Sequence, residues 1–337
     1  MTIGTRIYTL TLAASICMGG QAVANDTMAV LGAGGLVFTR SDDISMVEED
    51  LYISPTQVKV DYTFRNASAN SVSTIVAFPM PRIGGGVDFM GSVPDMEQDN
   101  FMDFTVTQDG AAIEPKLQQR ALVHGIDFTD EVKKQGVPLM PLADATRVAI
   151  GKLDPAVLKD WQVKGLIVDM NYTPDGSTEP EFYPTWELDT VYWWETVFPA
   201  GRDVKVEHNY KPSLGGTTAM VFIQDGEPTD NFEDYKQRYC LDDDFMAVAA
   251  KLEKSQDADK GIYYFENWLS YILTTGGNWF GSIEKFRLTV DKGSEKNIVS
   301  FCGEGVKKTG PTTFEMTATD FYPQKDLDIL LVVPSQQ

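Results

Sequence analysis

The chain has 337 residues, of which 28 are Lys or Arg, 49 are Asp or Glu and 2 are His, giving a formal net charge of −21 at pH 7. That length accommodates two domains, or one large β domain with an insertion, and 18 Phe, 13 Tyr and 6 Trp supply the apolar bulk for a buried core, so wholesale disorder is not expected. The pI near 4.4 argues against nucleic acid or anionic lipid as a partner, because both need clustered Lys and Arg.

Residues 1–24 have the layout of an export leader. Arg6 gives a positive start, Ile7 to Met18 form an apolar stretch of 12 residues, and Ala22-Val23-Ala24 places small residues where a signal peptidase reads them. Cleavage after Ala24, before Asn25, and a periplasmic location are therefore predicted. Twelve apolar residues are too few to cross about 30 Å of hydrocarbon as a helix, and no later segment reaches 18 uncharged apolar residues, so no membrane span is expected. Cys17 follows the bulky Ile16, where a lipoprotein site needs a small residue.

After the leader the chain reads as two β regions, 25–225 and 226–337. Val58, Val60, Tyr62 and Phe64 alternate with Lys59, Asp61, Thr63 and Arg65, which puts four apolar side chains on one face of a half-buried strand. Asn66 to Asn70 supply turn residues, and Ser71 to Phe78 resume as a strand that Pro79-Met80-Pro81 ends, so the two strands are expected to pair as a hairpin. A mostly helical insertion is predicted near 120–165. There Thr129-Asp130-Glu131 opens a short helix stopped by Gly136 and Pro138, and Asp154-Pro155 caps a second that carries Leu158 and Trp161 and ends near Gly165.

Val204, Val206, His208 and Tyr210 give another alternating strand, and the polar run Asp225-Gly226-Glu227-Pro228-Thr229 is the candidate boundary between the halves. Asp242 to Asp244 then precede Phe245, Val248, Ala249 and Leu252, whose spacing predicts an amphipathic helix over 243–254. Alternation returns in Phe286, Leu288 and Val290 and in Phe314, Met316 and Ala318, while Ile329 to Val333 are apolar throughout, as in a strand covered on both faces. The fold class that follows is mainly β: an antiparallel, sandwich-like architecture with a helical insertion and one further amphipathic helix.

Two cysteines follow the leader, Cys240 and Cys302, and in an exported protein such a pair predicts one disulfide. Neither sits in a Cys-x-x-Cys spacing or beside a His, which weighs against a redox or metal role. No Gly-x-Ser-x-Gly elbow, His-Glu-x-x-His motif, phosphate loop or dinucleotide fingerprint occurs, so no catalytic residue is assigned and no cofactor is expected. His208 lies in the apolar register of its strand, where a satisfied buried histidine is expected, and His124 with Gly125 reads as a surface loop. Glu187, Asp189 and Glu195 are carboxylates among aromatics and are the candidates for glycoside hydrolysis. Asp257-Ala258-Asp259-Lys260-Gly261 begins like a calcium loop, but Tyr263, Tyr264 and Trp268 fall where oxygen ligands belong, so no metal site is assigned and a solvated turn is expected.

Seven aromatics fall in the 17 residues from Phe182 to Phe198. Within that stretch Tyr192, Trp194 and Phe198 share one face, while Trp193 shares the other with Glu195 and Val197. Packing of the whole set as core competes with exposure as a platform for a sugar or protein. The candidate binding residues are Trp186, Trp193 and Trp194, with Trp193 the preferred exposed member, together with Trp279 and Phe280 in the Asn278-Trp279-Phe280 connection between Gly277 and Gly281. The alternative for that connection is a plug folded back on the sandwich.

Leu31-Gly32-Ala33-Gly34-Gly35-Leu36-Val37-Phe38, then Ser41-Asp42-Asp43-Ile44 and Glu49-Asp50-Leu51-Tyr52-Ile53-Ser54, resemble the start of a bacterial exported family known as domain of unknown function 4424. Val76-Ala77-Phe78-Pro79-Met80-Pro81, Phe198-Pro199-Ala200-Gly201, Val206 to Pro212, Tyr271 to Trp279 and Ser300-Phe301-Cys302 extend the resemblance over nearly all of the chain after the leader. The resemblance implies a periplasmic location and one continuous module. It carries no assigned activity.

The leading functional reading is a non-catalytic periplasmic module that presents an aromatic surface to an envelope protein or glycan. The alternatives are a carboxylate-based hydrolase acting on envelope polysaccharide and a calcium-stabilised structural module.

Overall fold

The computed structural model describes residues 25–32, 35–85, 91–170 and 180–335, so the leader predicted over 1–24 lies outside the described residues. Three large sheets are built from short strands. An eight-stranded sheet runs Lys307–Lys308, Thr313–Phe321, Ile283–Asp291, Ile44–Ile53, Val58–Asn66, Asp203–Tyr210, Thr105–Gln108, Ala111–Ile113. A six-stranded sheet runs Ile126–Asp127, Lys116–Val123, Glu187–Phe198, Val72–Pro79, Thr27–Gly32, Gly35–Thr39. The third, of five strands, has Leu327–Pro334 and Tyr264–Tyr271 at its heart. The architecture is mainly β and antiparallel, with few helices. One pair departs from this: Ile44–Ile53 and Ile283–Asp291 run parallel, joined by most of the intervening chain as their crossover.

The alternating strands face inward as their spacing predicts. Val58, Val60, Tyr62 and Phe64 are buried on the eight-stranded sheet, and Val204, Val206, His208 and Tyr210 lie beside them on the next strand. Val76, Phe78, Tyr192, Trp194 and Phe198 answer from the six-stranded sheet. Rings interlock across the gap, Phe64 with Phe198 at 5.8 Å and Phe104 with Phe78 at 5.2 Å and Tyr192 at 4.4 Å, so much of the core energy is aromatic area.

The expected hairpin of Val58–Asn66 with Val72–Pro79 does not form. The first strand belongs to the eight-stranded sheet and the second to the six-stranded one. Asn66 makes the corner: its Nδ2 donates to the carbonyls of Asn70 and Phe198, both at 2.8 Å, and its Oδ1 accepts from the Ser68 amide. Alternation sets which face of a strand is buried but leaves its neighbour open, and Val72–Pro79 pairs with Thr27–Gly32 and Glu187–Phe198 instead.

Helix Pro155–Lys164 starts on Asp154, whose side chain accepts from the Ala156 amide, and ends on the left-handed Gly165 (φ +71°). Helix Asp243–Lys254 is capped by Asp242 through the Phe245 amide. Two helices went unread in the sequence, Asp144–Ile150 and Phe232–Tyr239, and neither has a side-chain cap to announce it. Phe222, Tyr239, Leu241, Phe245 and Ala249 pack on Leu330 and Val332, which is why Leu327–Pro334 is apolar on both faces.

Cys240 and Cys302 are bonded, tying the end of helix Phe232–Tyr239 to the strand Ile298–Phe301 across a sequence separation of 62. A loop of that length gives roughly 4 kcal/mol in the chain-entropy model. Reduction, or Cys240→Ser with Cys302→Ser, is expected to cost up to that much and to lower the calorimetric midpoint. An unchanged midpoint would mean that docking of the helix pair, not the bridge, holds this end.

Candidate functional site

Three of the five candidate aromatics are core residues. Trp186 is fully enclosed and donates its Nε1 to the Leu139 carbonyl at 2.8 Å, with Trp161 edge-on at 6.2 Å. Trp194 is buried with the inward face of its strand. Trp279 plugs the sandwich between Phe64, at 4.5 Å, and Phe198, and donates its Nε1 to the Asp26 carbonyl at 2.7 Å. Rings held in this way cannot meet a ligand, so Trp186, Trp194 and Trp279 are corrected from binding candidates to packing residues. Trp193 is half-buried on the outer face, with Lys116 Nζ 4.4 Å above its ring and Lys116 ion-paired to Glu195 at 3.0 Å. Phe280 is 54% exposed.

Around Trp193 the outer face forms a shallow site. The hairpin of Thr27–Gly32 and Gly35–Thr39 curls over it, and the Leu36 amide donates to Gln118 Oε1, three strands away from Thr27–Gly32 in the sheet order. Between hairpin and sheet lies a groove of about 620 Å³ whose walls include Ala29, Leu31, Ile75, Glu195 and Val197. On its walls Leu31 is 61% exposed and Val197 47%.

The candidate carboxylates are held in ion pairs, Glu187 and Asp189 by shared arginines and Glu195 by Lys116. Arg82 bonds both Glu187 and Asp189 at 3.2 Å, and Arg120 reaches Asp189 at 3.2 Å. Glu195 lies six residues further along the same strand, roughly 20 Å away, well beyond the 5 to 10 Å that a glycosidase pair needs. In the calcium-like segment Asp257 is spent on its own turn, accepting from the Lys260 amide and pairing with Lys260 Nζ at 2.6 Å. Among the described residues no group of three or more His, Cys, Asp or Glu is placed to hold a metal ion.

A polar cluster that sequence reasoning did not single out lies inside the sandwich. Asn25, Asp26 and Thr27 are all fully buried, as are Glu49 and His208. Asn25 Oδ1 accepts from Tyr62 Oη at 2.5 Å and from the Asp26 amide at 2.9 Å, its carbonyl accepts from Thr275 Oγ1, and Tyr62 also meets Tyr271 Oη at 3.0 Å. Asp26 Oδ1 lies 3.5 Å from His208 Nε2, and neither side chain has a hydrogen bond. The expectation for His208 was half right: it is buried, ringed edge-on by Tyr62, Phe78, Phe104 and Trp194, but its nitrogens are not satisfied. Burial pushes Asp26 well above the carboxylate range, with the nearby Glu49 adding to the shift, and burial holds His208 down at about 3, so Asp26 keeps its proton and His208 stays neutral, two uncharged groups side by side. Glu49 is pushed up to about 8 by burial, opposed only in part by the Asn25 amide.

The phase of strand Ile44–Ile53 places Glu49 there. Ile44 and Met46 face inward at even positions, Leu51 and Ile53 at odd ones, and a bulge between Met46 and Glu48 makes the slip. The same slip in the apolar pattern was the readable signal for an inward Glu49.

The family model described as Domain of unknown function (DUF4424) matches residues 24–330. The chain belongs to the DUF4424 family. The DUF4424 span takes in the whole interior cluster and the outer groove. No curated protein matches the chain. Among solved structures it is similar to one titled "putative nutrient binding protein" from Legionella pneumophila, at 15% identity and a TM-score of 0.43, covering 92% of this chain and 71% of that one. An M1 zinc metallopeptidase from Deinococcus radiodurans follows at 9% identity and a TM-score of 0.23, covering 87% of this chain and 43% of that one. Neither likeness bears on what this DUF4424 chain binds.

The proton held on Asp26 fixes a pH dependence. Between the ordinary values of 3.8 for Asp and 6.5 for His, the unfolded pair also carries one proton, so the pair's contribution is flat. Above 6.5 the unfolded pair loses its proton while the folded pair keeps it, and stability falls as pH rises. Above pH 6.5 the wild type should lose stability more steeply than an Asp26→Leu, His208→Leu double variant, by at most about 1.4 kcal/mol per pH unit, the limit for one proton. His208→Leu alone leaves Asp26 as a neutral acid beside a new apolar side chain and should cost roughly 1 to 3 kcal/mol, part of it recovered in the double variant. Denaturant titrations read both; parallel pH profiles would show that folded Asp26 does not hold its proton.

Proposed function

We propose that this protein is an exported envelope module, freed of its leader between Ala24 and Asn25, that holds a protein partner in the outer groove beneath the Thr27–Gly32 hairpin. The observation that carries this reading is the exposure of Leu31 and Val197 on the walls of a concave site on the outer face that Trp193 shares. Aliphatic walls favour an apolar peptide segment over a sugar, which needs flat aromatic faces and many hydrogen-bonding groups. The leader layout and the Cys240–Cys302 bond support the oxidising compartment. Among the described residues no helix is long and apolar enough to cross a membrane.

A photo-reactive amino acid at Leu31 or Val197, placed in intact cells, is expected to trap one reproducible protein. The same probe at Val163, which is 83% exposed on helix Pro155–Lys164, should not trap it. Equal capture from all three positions would remove the groove from consideration, and capture of glycan alone would replace the partner.

A further inference from the structure

The interior holds two acids and no base strong enough to match them. Asp26 carries both carboxylate oxygens without a hydrogen bond, and Glu49 meets only the Asn25 side-chain amide, at the long distances of 3.4 and 3.5 Å. Among the described residues no Lys or Arg forms an ion pair with either, and burial keeps His208 neutral. The remaining titratable groups facing Glu49 are Tyr62 and Tyr271, both held neutral by burial. A carboxyl enclosed in this manner needs a cation, or it must stay protonated.

Asn25 occupies the place where such a cation would sit. Tyr62 holds its side chain, Thr275 its carbonyl, and Gly276 stands so close that a Cβ there would lie 2.9 Å from Asn25 Nδ2. Its α-nitrogen is four bonds from Nδ2, hence within about 5 Å of it, and Nδ2 is itself the nearest donor to both Glu49 oxygens. The geometry is that of a socket for one residue, with a carboxylate at its base.

We propose that the α-ammonium group of Asn25, created when the leader is cut, is the counter-ion of Glu49, so that processing completes an interior ion pair and locks the first strand between the sheets. This rests on the reading that cleavage falls before Asn25. Hydrolysis of the Ala24–Asn25 peptide bond consumes one water and leaves a carboxylate on the leader and, with the proton so released, an ammonium on Asn25. A peptide nitrogen there offers one donor and no charge; the ammonium offers three donors and a positive charge. In the uncut chain burial keeps Glu49 protonated, and in the cut chain the same burial strengthens the pair, because the low dielectric that penalises a lone charge also deepens the attraction between two. The fold is thereby completed after translocation rather than before it.

The test compares the full mature chain beginning at Asn25, released from an N-terminal fusion by a protease that leaves no extra residue, with the same chain carrying Ala24 in front. The extension is expected to lower the thermal midpoint by about 3 °C or more at pH 7, and that loss should vanish in Glu49→Gln. A neutral extension, or an equal loss in both backgrounds, overturns the proposal. Should Glu49→Gln fail to fold, the amine itself is read with a reagent specific for N-terminal amines. Folded mature protein should react at least about tenfold slower than protein unfolded in urea, and an equal rate overturns the proposal. N-terminal sequencing of protein taken from the periplasm reads the cleavage site separately: a different first residue would refute the processing reading, while the comparison above still decides whether an Asn25 ammonium is held.

Discussion

Two carboxyl groups enclosed in an aromatic core, one of them beside a buried histidine, set the terms on which this fold is stable. Charge in such a place costs several kcal/mol unless it is matched or neutralised. Asp26 meets the constraint by keeping its proton beside a neutral His208, and Glu49 meets it through its raised affinity for a proton or through a cation at Asn25. The polar thread is also what joins the layers. Asn25 and Asp26 together touch the eight-stranded sheet through Tyr62 and His208, and the Thr274–Asn278 turn and its flank through Thr275 and Trp279. Residues that would be a liability in an apolar core therefore give the sandwich a single register, since a shift of one residue would break every one of these contacts at once.

The core faces were legible because burial follows a period of two. Val58 to Phe64 and Val204 to Tyr210 were readable to the residue, and the split of Trp193 from Tyr192 and Trp194 followed from the same rule. Caps with a side-chain signature were legible as well, at Asp154 and Asp242. Partner choice was not. Val72–Pro79 joins strands 45 residues before it and over 100 after it in sequence, and nothing local to Ser71–Phe78 encodes either neighbour. Helix Phe232–Tyr239 was missed for a related reason: it is short, charged and uncapped, and it is held by packing and by the disulfide at its end rather than by its own propensity.

The interior cluster was hidden for a different reason. His208 and Asp26 are 182 positions apart, and only the closure of two sheets brings them to 3.5 Å. Glu49 was within reach of a closer reading, through the slip in phase between Met46 and Leu51. Candidate residues chosen for chemical richness, the tryptophans, turned out to be mostly packing, whereas the buried ionisable groups sat in stretches that composition alone left unremarkable. A large ring is cheaper to bury than to expose, so a dense aromatic run in a β protein marks the sandwich interior first.

Strongly perturbed titratable groups often mark a reactive centre, and here the inference runs the other way. A catalytic acid or base must reach a substrate, and Asp26, Glu49 and His208 are closed off by rings and strands on every side. The open groove beside Trp193 has the opposite character: it is reachable, aliphatic, and its one acid, Glu195, is already paired with Lys116. Reactivity and access are thus separated in space. The enclosed titratable groups act on the fold, and the accessible surface offers shape and apolar area.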